Sequence, residues 1–144
     1  QLTMAAIAID TDDKSRSGKR TLPAQSLYAM PGGRGYERLI LVGGGIRVED
    51  AAGNTLAGYT PTEPDAANPI GNSMTGTLRF SVPLSVLGVP EPNWTYVVVA
   101  GAQDDHGGAG IGEFRAVHAE QGEWNGGGKL HAEEPNIYDE LITP

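Results

Sequence analysis

At 144 residues, with 10 Lys and Arg against 18 Asp and Glu, the chain carries a formal charge of −8, which repels phosphate backbones and anionic lipid and argues against nucleic acid as a partner. It has no cysteine, so a disulfide framework, thiolate zinc and Cys-ligated iron–sulfur clusters are excluded. Its 21 Gly and 10 Pro interrupt any long helix, no stretch reaches the roughly 18 apolar residues of a membrane span, and the length suits a single domain over residues 1–144.

The first apolar run, Ala5 to Ile9, predicts a short strand with Ile7 and Ile9 on one face, ending at Asp10 in a polar loop that runs to Arg20 and closes at Leu22-Pro23. After a Gly-rich turn at Pro31 to Gly35, Tyr36 to Val42 has the aliphatic bulk of a strand buried on both faces. Ile46 to Glu49 alternates strictly, Asp50 to Asn54 has the turn chemistry of a hairpin, and Thr55-Leu56 begins the return. Thr60 to Ser73 reads as a surface loop. Thr75 to Val82, with Leu78, Phe80 and Val82 alternating against Thr77, Arg79 and Ser81, has the cleanest strand pattern in the chain.

Pro83 to Gly88 predicts one helical turn, with Pro suited to its start and Gly to its exit. Trp94 to Ala100, rich in β-branched and aromatic residues, predicts a central strand. Gln103 to Gly112 reads as a loop, Glu113 to Val117 as a short strand, and Ile137 to Ile142 as a closing element. Short strands between turns, with almost no helical period, predict an all-β antiparallel β-sandwich, jelly-roll or immunoglobulin-like.

Chemistry-bearing motifs are sparse. His106, His118 and His131 have no HExxH spacing, the Gly-rich stretches lack a strand–GxGxxG–helix or Walker context, and there is no nucleophile elbow, so the chain is expected to be non-catalytic. Asp10, Asp12 and Asp13 cluster at a strand end, where a bent loop supplies the carboxylate and carbonyl oxygens that calcium prefers. Asp104 and Asp105 form a second acidic pair that reads as a turn. Asn93-Trp94-Thr95 is an Asn-x-Thr glycosylation acceptor.

Several segments in order carry a resemblance: Ile9-Asp10-Thr11-Asp12, Val82-Pro83-Leu84-Ser85-Val86-Leu87-Gly88, Asn93-Trp94-Thr95-Tyr96, Gln103-Asp104-Asp105-His106-Gly107, Phe114-Arg115-Ala116-Val117, Glu123-Trp124-Asn125-Gly126-Gly127-Gly128 and Pro135-Asn136-Ile137-Tyr138-Asp139-Glu140-Leu141. Together they resemble the C-terminal domain of glucodextranase-like proteins, which is similar to family 9 carbohydrate-binding modules and DOMON-like β-sandwiches. The resemblance implies an extracellular or cell-surface module, accessory to a glycoside hydrolase or wall-associated, whose partner is a polysaccharide or cell-envelope glycan. The chain departs from that pattern in having Tyr36 where a Trp is usual, and in starting at Gln1 without the family's leading strands. The expectation is either that a neighbouring chain or domain completes the sheet, in a surface assembly or filament if the role is structural, or that the domain is trimmed and rearranged.

Sugar rings stack on aromatic faces while their hydroxyls meet planar polar groups, so the expected carbohydrate-binding residues are Trp124, with Glu123 and Asn125 beside it, and Tyr36 and Trp94. Haem held by Met and His, as in some DOMON-like relatives, would draw on Met4, Met30 or Met74 and is the weakest expectation.

Overall fold

A computed structural model describes residues 3–59, 70–72, 74–104 and 111–143. Its frame is one curled antiparallel sheet. Strand β1 (Thr3–Asp10) lies between β2 (Arg38–Val42) and β7 (Thr95–Asp104). Beyond β2 come β3 (Ile46–Asp50) and β4 (Thr55–Tyr59), while the far side of β7 takes β8 (Glu113–Phe114) and β9 (Asp139–Ile142). The protein is all-β, as its punctuation and alternation predict.

Register explains the composition of the central strands. Ile7 stands opposite Ile40 on one side and Val98 on the other, and Ala8 stands opposite Leu39 and Val97. Successive residues point to opposite faces. Met4, Ala6, Ala8, Leu39, Leu41, Val97 and Val99 therefore form one apolar face, and Ala5, Ile9, Ile40, Val42 and Val48 form the other. Both faces are buried, which is why these strands read as continuous apolar runs.

Each face has its own cover. Over the first lie Leu22, Tyr28, Met30, Tyr36 and Phe114, carried mostly by an irregular segment whose backbone bridges pair Lys19 with Tyr36 and Thr21 with Ala29. Over the second lie Trp94, Ile70, Phe80, Val82, Val86 and Leu87. The helical turn α1 (Leu84–Leu87) belongs to this cover; it follows Pro83 and ends at Gly88, whose φ of 96° is left-handed and suits a residue without Cβ. The second layer is thus built mainly from turns and extended segments, not from a long strand ladder.

That arrangement corrects the reading of Thr75 to Val82. Only Thr77–Leu78 (β6) forms a ladder, paired with Gly71–Asn72 (β5). The alternation reports burial of Phe80 and Val82 against the sheet. A half-buried extended segment and a half-buried strand have the same period, so the pattern cannot distinguish them. Of the segment 60–73, expected to be a loop, residues 60–69 and 73 lie outside the described residues, and Gly71–Asn72 form β5 instead.

The hairpin at 50–54 matches its turn chemistry: Asp50 N donates to Asn54 O at 3.0 Å, and Asn54 N donates to Asp50 Oδ1 at 2.9 Å. Asn136 ties the first cover together. Its Oδ1 accepts from Val117 N at 3.0 Å and Lys129 Nζ at 3.2 Å, and its Nδ2 donates to Gln25 O at 2.7 Å.

Leu41 is fully buried on the first face. Leu41→Ala is expected to cost about 2–5 kcal/mol in urea unfolding, whereas truncating the exposed Val89 to Ala should change stability by less than about 0.5 kcal/mol.

Candidate functional site

Two surface regions concentrate chemistry: an acidic corner where β1 ends, and an aromatic loop between β8 and β9.

In the acidic corner, the chain leaves β1 at Asp10 and turns at once. Asp10 Oδ1 accepts from Asp12 N at 3.2 Å and Asp13 N at 2.8 Å, folding the loop back over the strand end. Residues 17–19 then run beside residues 35–37, with Lys19 N to Tyr36 O and Tyr36 N to Lys19 O both at 3.0 Å. Gly35 makes this approach possible, because a Cβ there would collide with the Ser17 carbonyl and the Gly18 backbone. The approach delivers Glu37, just before β2, to the loop. Glu37 Oε2 accepts from Thr11 N at 2.9 Å, and the Ser17 hydroxyl, with one proton to give, lies 2.8 Å from Asp12 Oδ1 and 3.0 Å from Glu37 Oε1.

One carboxylate oxygen from each of Asp10, Asp12 and Glu37 consequently lies within 4.8 Å of the other two. Asp13 stands apart from them. Its Oδ1 pairs with Arg34 Nη2 at 3.0 Å, and Arg34 Nη1 donates to Thr95 Oγ1 at 2.8 Å. Glu37, remote in sequence, went unread as an acidic partner because only the crossing at Gly35 brings it near. A cleft of about 300 Å³ adjoins the corner, lined by Asp10, Arg34, Thr95 and Thr143 among mainly apolar neighbours.

The Ser17 hydroxyl, and after it the Lys14 amide, hold the Asp12 carboxyl below its ordinary range. A folded pKa below the unfolded one contributes stability above the unfolded value and loses it as pH falls through the folded value. Ser17→Ala should therefore move the Asp12 titration to higher pH in carboxyl-detected NMR; an unchanged midpoint would show that the hydroxyl does not set it.

In the aromatic loop, Trp124 is 68% exposed and Glu123 is exposed beside it. The loop is held in shape by its own backbone. Val117 bridges Gly126, Gly126 N donates to Ala116 O at 2.9 Å, and Asn125 Nδ2 donates to Glu120 O at 2.8 Å. Asn125 is thus committed through its amide nitrogen to shaping the loop. Tyr138, which the sequence reading did not single out, is 55% exposed, and its hydroxyl fills the space a side chain at Gly126 would need. The missed signal was Gly126, two residues from Trp124, whose lack of a side chain admits the Tyr138 phenol from just before the final strand.

Tyr36 and Trp94 do not join this loop. Both rings are buried, Tyr36 in the first core with its hydroxyl donating to Thr21 O at 3.1 Å, and Trp94 in the second, 6.4 Å from Tyr96 between ring centroids. Neither has a face open to a sugar, which corrects their expected role. Burial raises the Tyr36 phenol well above its ordinary pKa, with the nearby Glu49 charge adding to it. Asn93 is exposed, while Thr95 is buried against Arg34.

Met4 and Met30 are core residues, Met74 is exposed, and His118 and His131 line a separate cleft with Lys129 and Leu130. His106 and Asp105 lie outside the described residues.

A family model described as the C-terminal binding module, SLH-like, of glucodextranase matches residues 2–144. The chain belongs to that family. The family is one of binding modules and not of catalytic domains, in keeping with a carbohydrate or cell-surface binding role. No curated protein and no solved structure matches the chain. No helix among the described residues is long and apolar enough to cross a membrane.

Proposed function

We propose that the protein is a non-catalytic, extracellular glycan-binding module that attaches a larger protein to polysaccharide or to the cell envelope, with the Trp124 loop as its contact surface. The observation that carries this reading is the exposed indole on a loop fixed by backbone bonds. A pre-shaped loop that holds the indole open reduces the ordering cost of binding. The indole supplies a flat face for a pyranose ring, and Glu123 supplies acceptors for its hydroxyls. Tyr138, just before β9, supplies a second exposed aromatic. Family membership supports the binding role, since it spans residues 2–144.

Isothermal titration against α-glucans and envelope polysaccharides tests the reading. Trp124→Ala is expected to weaken binding about tenfold or more, roughly 1.4 kcal/mol, with an unchanged circular dichroism spectrum. Tyr138→Ala should weaken it less. If the wild-type chain gives no heat with any of these glycans at millimolar concentration, the proposal fails.

A second reading is favoured by the sheet edge at β9, where Leu141 and Ile142 are exposed. An added strand from a partner chain would cover such an edge, making the module a subunit of a surface assembly.

A further inference from the structure

The acidic corner has a feature that hydrogen bonding within the protein leaves unexplained. Asp10 is 1% exposed, its Oδ1 takes both loop amides, and its Oδ2 is buried with no hydrogen-bond partner among the described residues. A buried carboxylate oxygen without a partner costs several kcal/mol as an ion unless a positive charge reaches it. The same Asp10 carboxylate contributes one oxygen to a cluster with one oxygen each of Asp12 and Glu37, all within 4.8 Å of one another.

Among the described residues, no protein cation hydrogen-bonds to Asp10 Oδ2. Lys14 Nζ approaches Asp12 Oδ2 only at 3.8 Å from an exposed position, and Arg34 is engaged by Asp13 and Thr95. Three carboxylates crowded this closely repel one another, and a hard divalent cation, bound through oxygen, relieves the repulsion and the desolvation together.

We infer that Asp10, Asp12 and Glu37 form a binding site for a hard divalent cation of the calcium class, which joins the end of β1 to the start of β2. Asp13 is outside the ligand set because its carboxylate serves Arg34. The oxygens come from the strand end, the loop and the β2 approach, so the ion would pin the loop 11–18 to the sheet. The site is independent of the Trp124 loop, and its test needs no glycan.

The test is a thermal-shift and terbium-luminescence titration of the chelator-treated protein with calcium, and with magnesium at matched ionic strength. Calcium is expected to raise the melting temperature saturably, on the order of 5–10 °C at a hundredfold excess over Kd. Glu37→Gln and Asp12→Asn should abolish most of that rise, and Asp13→Asn should keep it. Asp10→Asn, which disturbs a buried position, is read only alongside Glu37→Gln. A chelator-treated wild type that shows neither a shift nor sensitised terbium emission overturns the site. So does an equal response to both ions that survives in Glu37→Gln, which would indicate mere screening of the −8 net charge. Loss of the response in Asp13→Asn with retention in Glu37→Gln overturns the ligand assignment.

Discussion

The structure depends on β1 being hydrogen-bonded on both edges and buried on both faces. A strand in that position has no exposed side, so everything else in the chain must cover it: β2 and β7 take its backbone, and two separate apolar clusters take its side chains. With only one α-helical turn, Leu84–Leu87, and one 3-10 turn, Pro31–Gly33, among the described residues, the covering is done by turns and extended segments. Their polar backbone must be satisfied locally, and the reciprocal amides at Lys19 and Tyr36, with the Leu22 amide donating to the Tyr28 carbonyl, are examples of how this is done.

The acidic corner follows from the same constraint. Because β1 stays buried up to its last residue, Asp10 has to enter the interior, and the loop after it must supply donors at once. It does so with the amides of residues 12 and 13 and no further, which leaves one oxygen unserved. The aromatic loop, by contrast, lies beyond the sheet and has no core to fill. Its order comes from backbone bridges and from Tyr138 settling against Gly126, so Trp124 stays outside.

Much of the fold was legible in the sequence. The β1 run, the β3–β4 hairpin with its Asp50–Asn54 turn, the Pro83–Gly88 helical turn and the central β7 all follow from local pattern. Thr75 to Val82 did not, since alternation reports which face is buried and not whether a neighbouring strand is present. The candidate sites were legible where one loop holds the residue, as for Trp124. They were obscured where a distant crossing decides the geometry: Glu37 reaches Asp10 only across the Gly35–Ser17 contact, and Tyr138 reaches the Trp124 loop only through β7–β9 pairing. Tyr36 and Trp94 misled because an aromatic ring at a strand start serves a core as readily as a ligand.

The shared anchorage at Asn136 has a consequence for how such modules diverge. One amide serves the backbone of residues 25 and 117 and the ammonium of Lys129, so no single stretch of this cover is free to lengthen or drift without unsettling the others. Descendants of this sequence should therefore alter these stretches in concert, with replacements at one matched by replacements at the rest. Among the described residues, 123 and 124 belong to no such shared anchorage, so exchanges there would disturb this cover least.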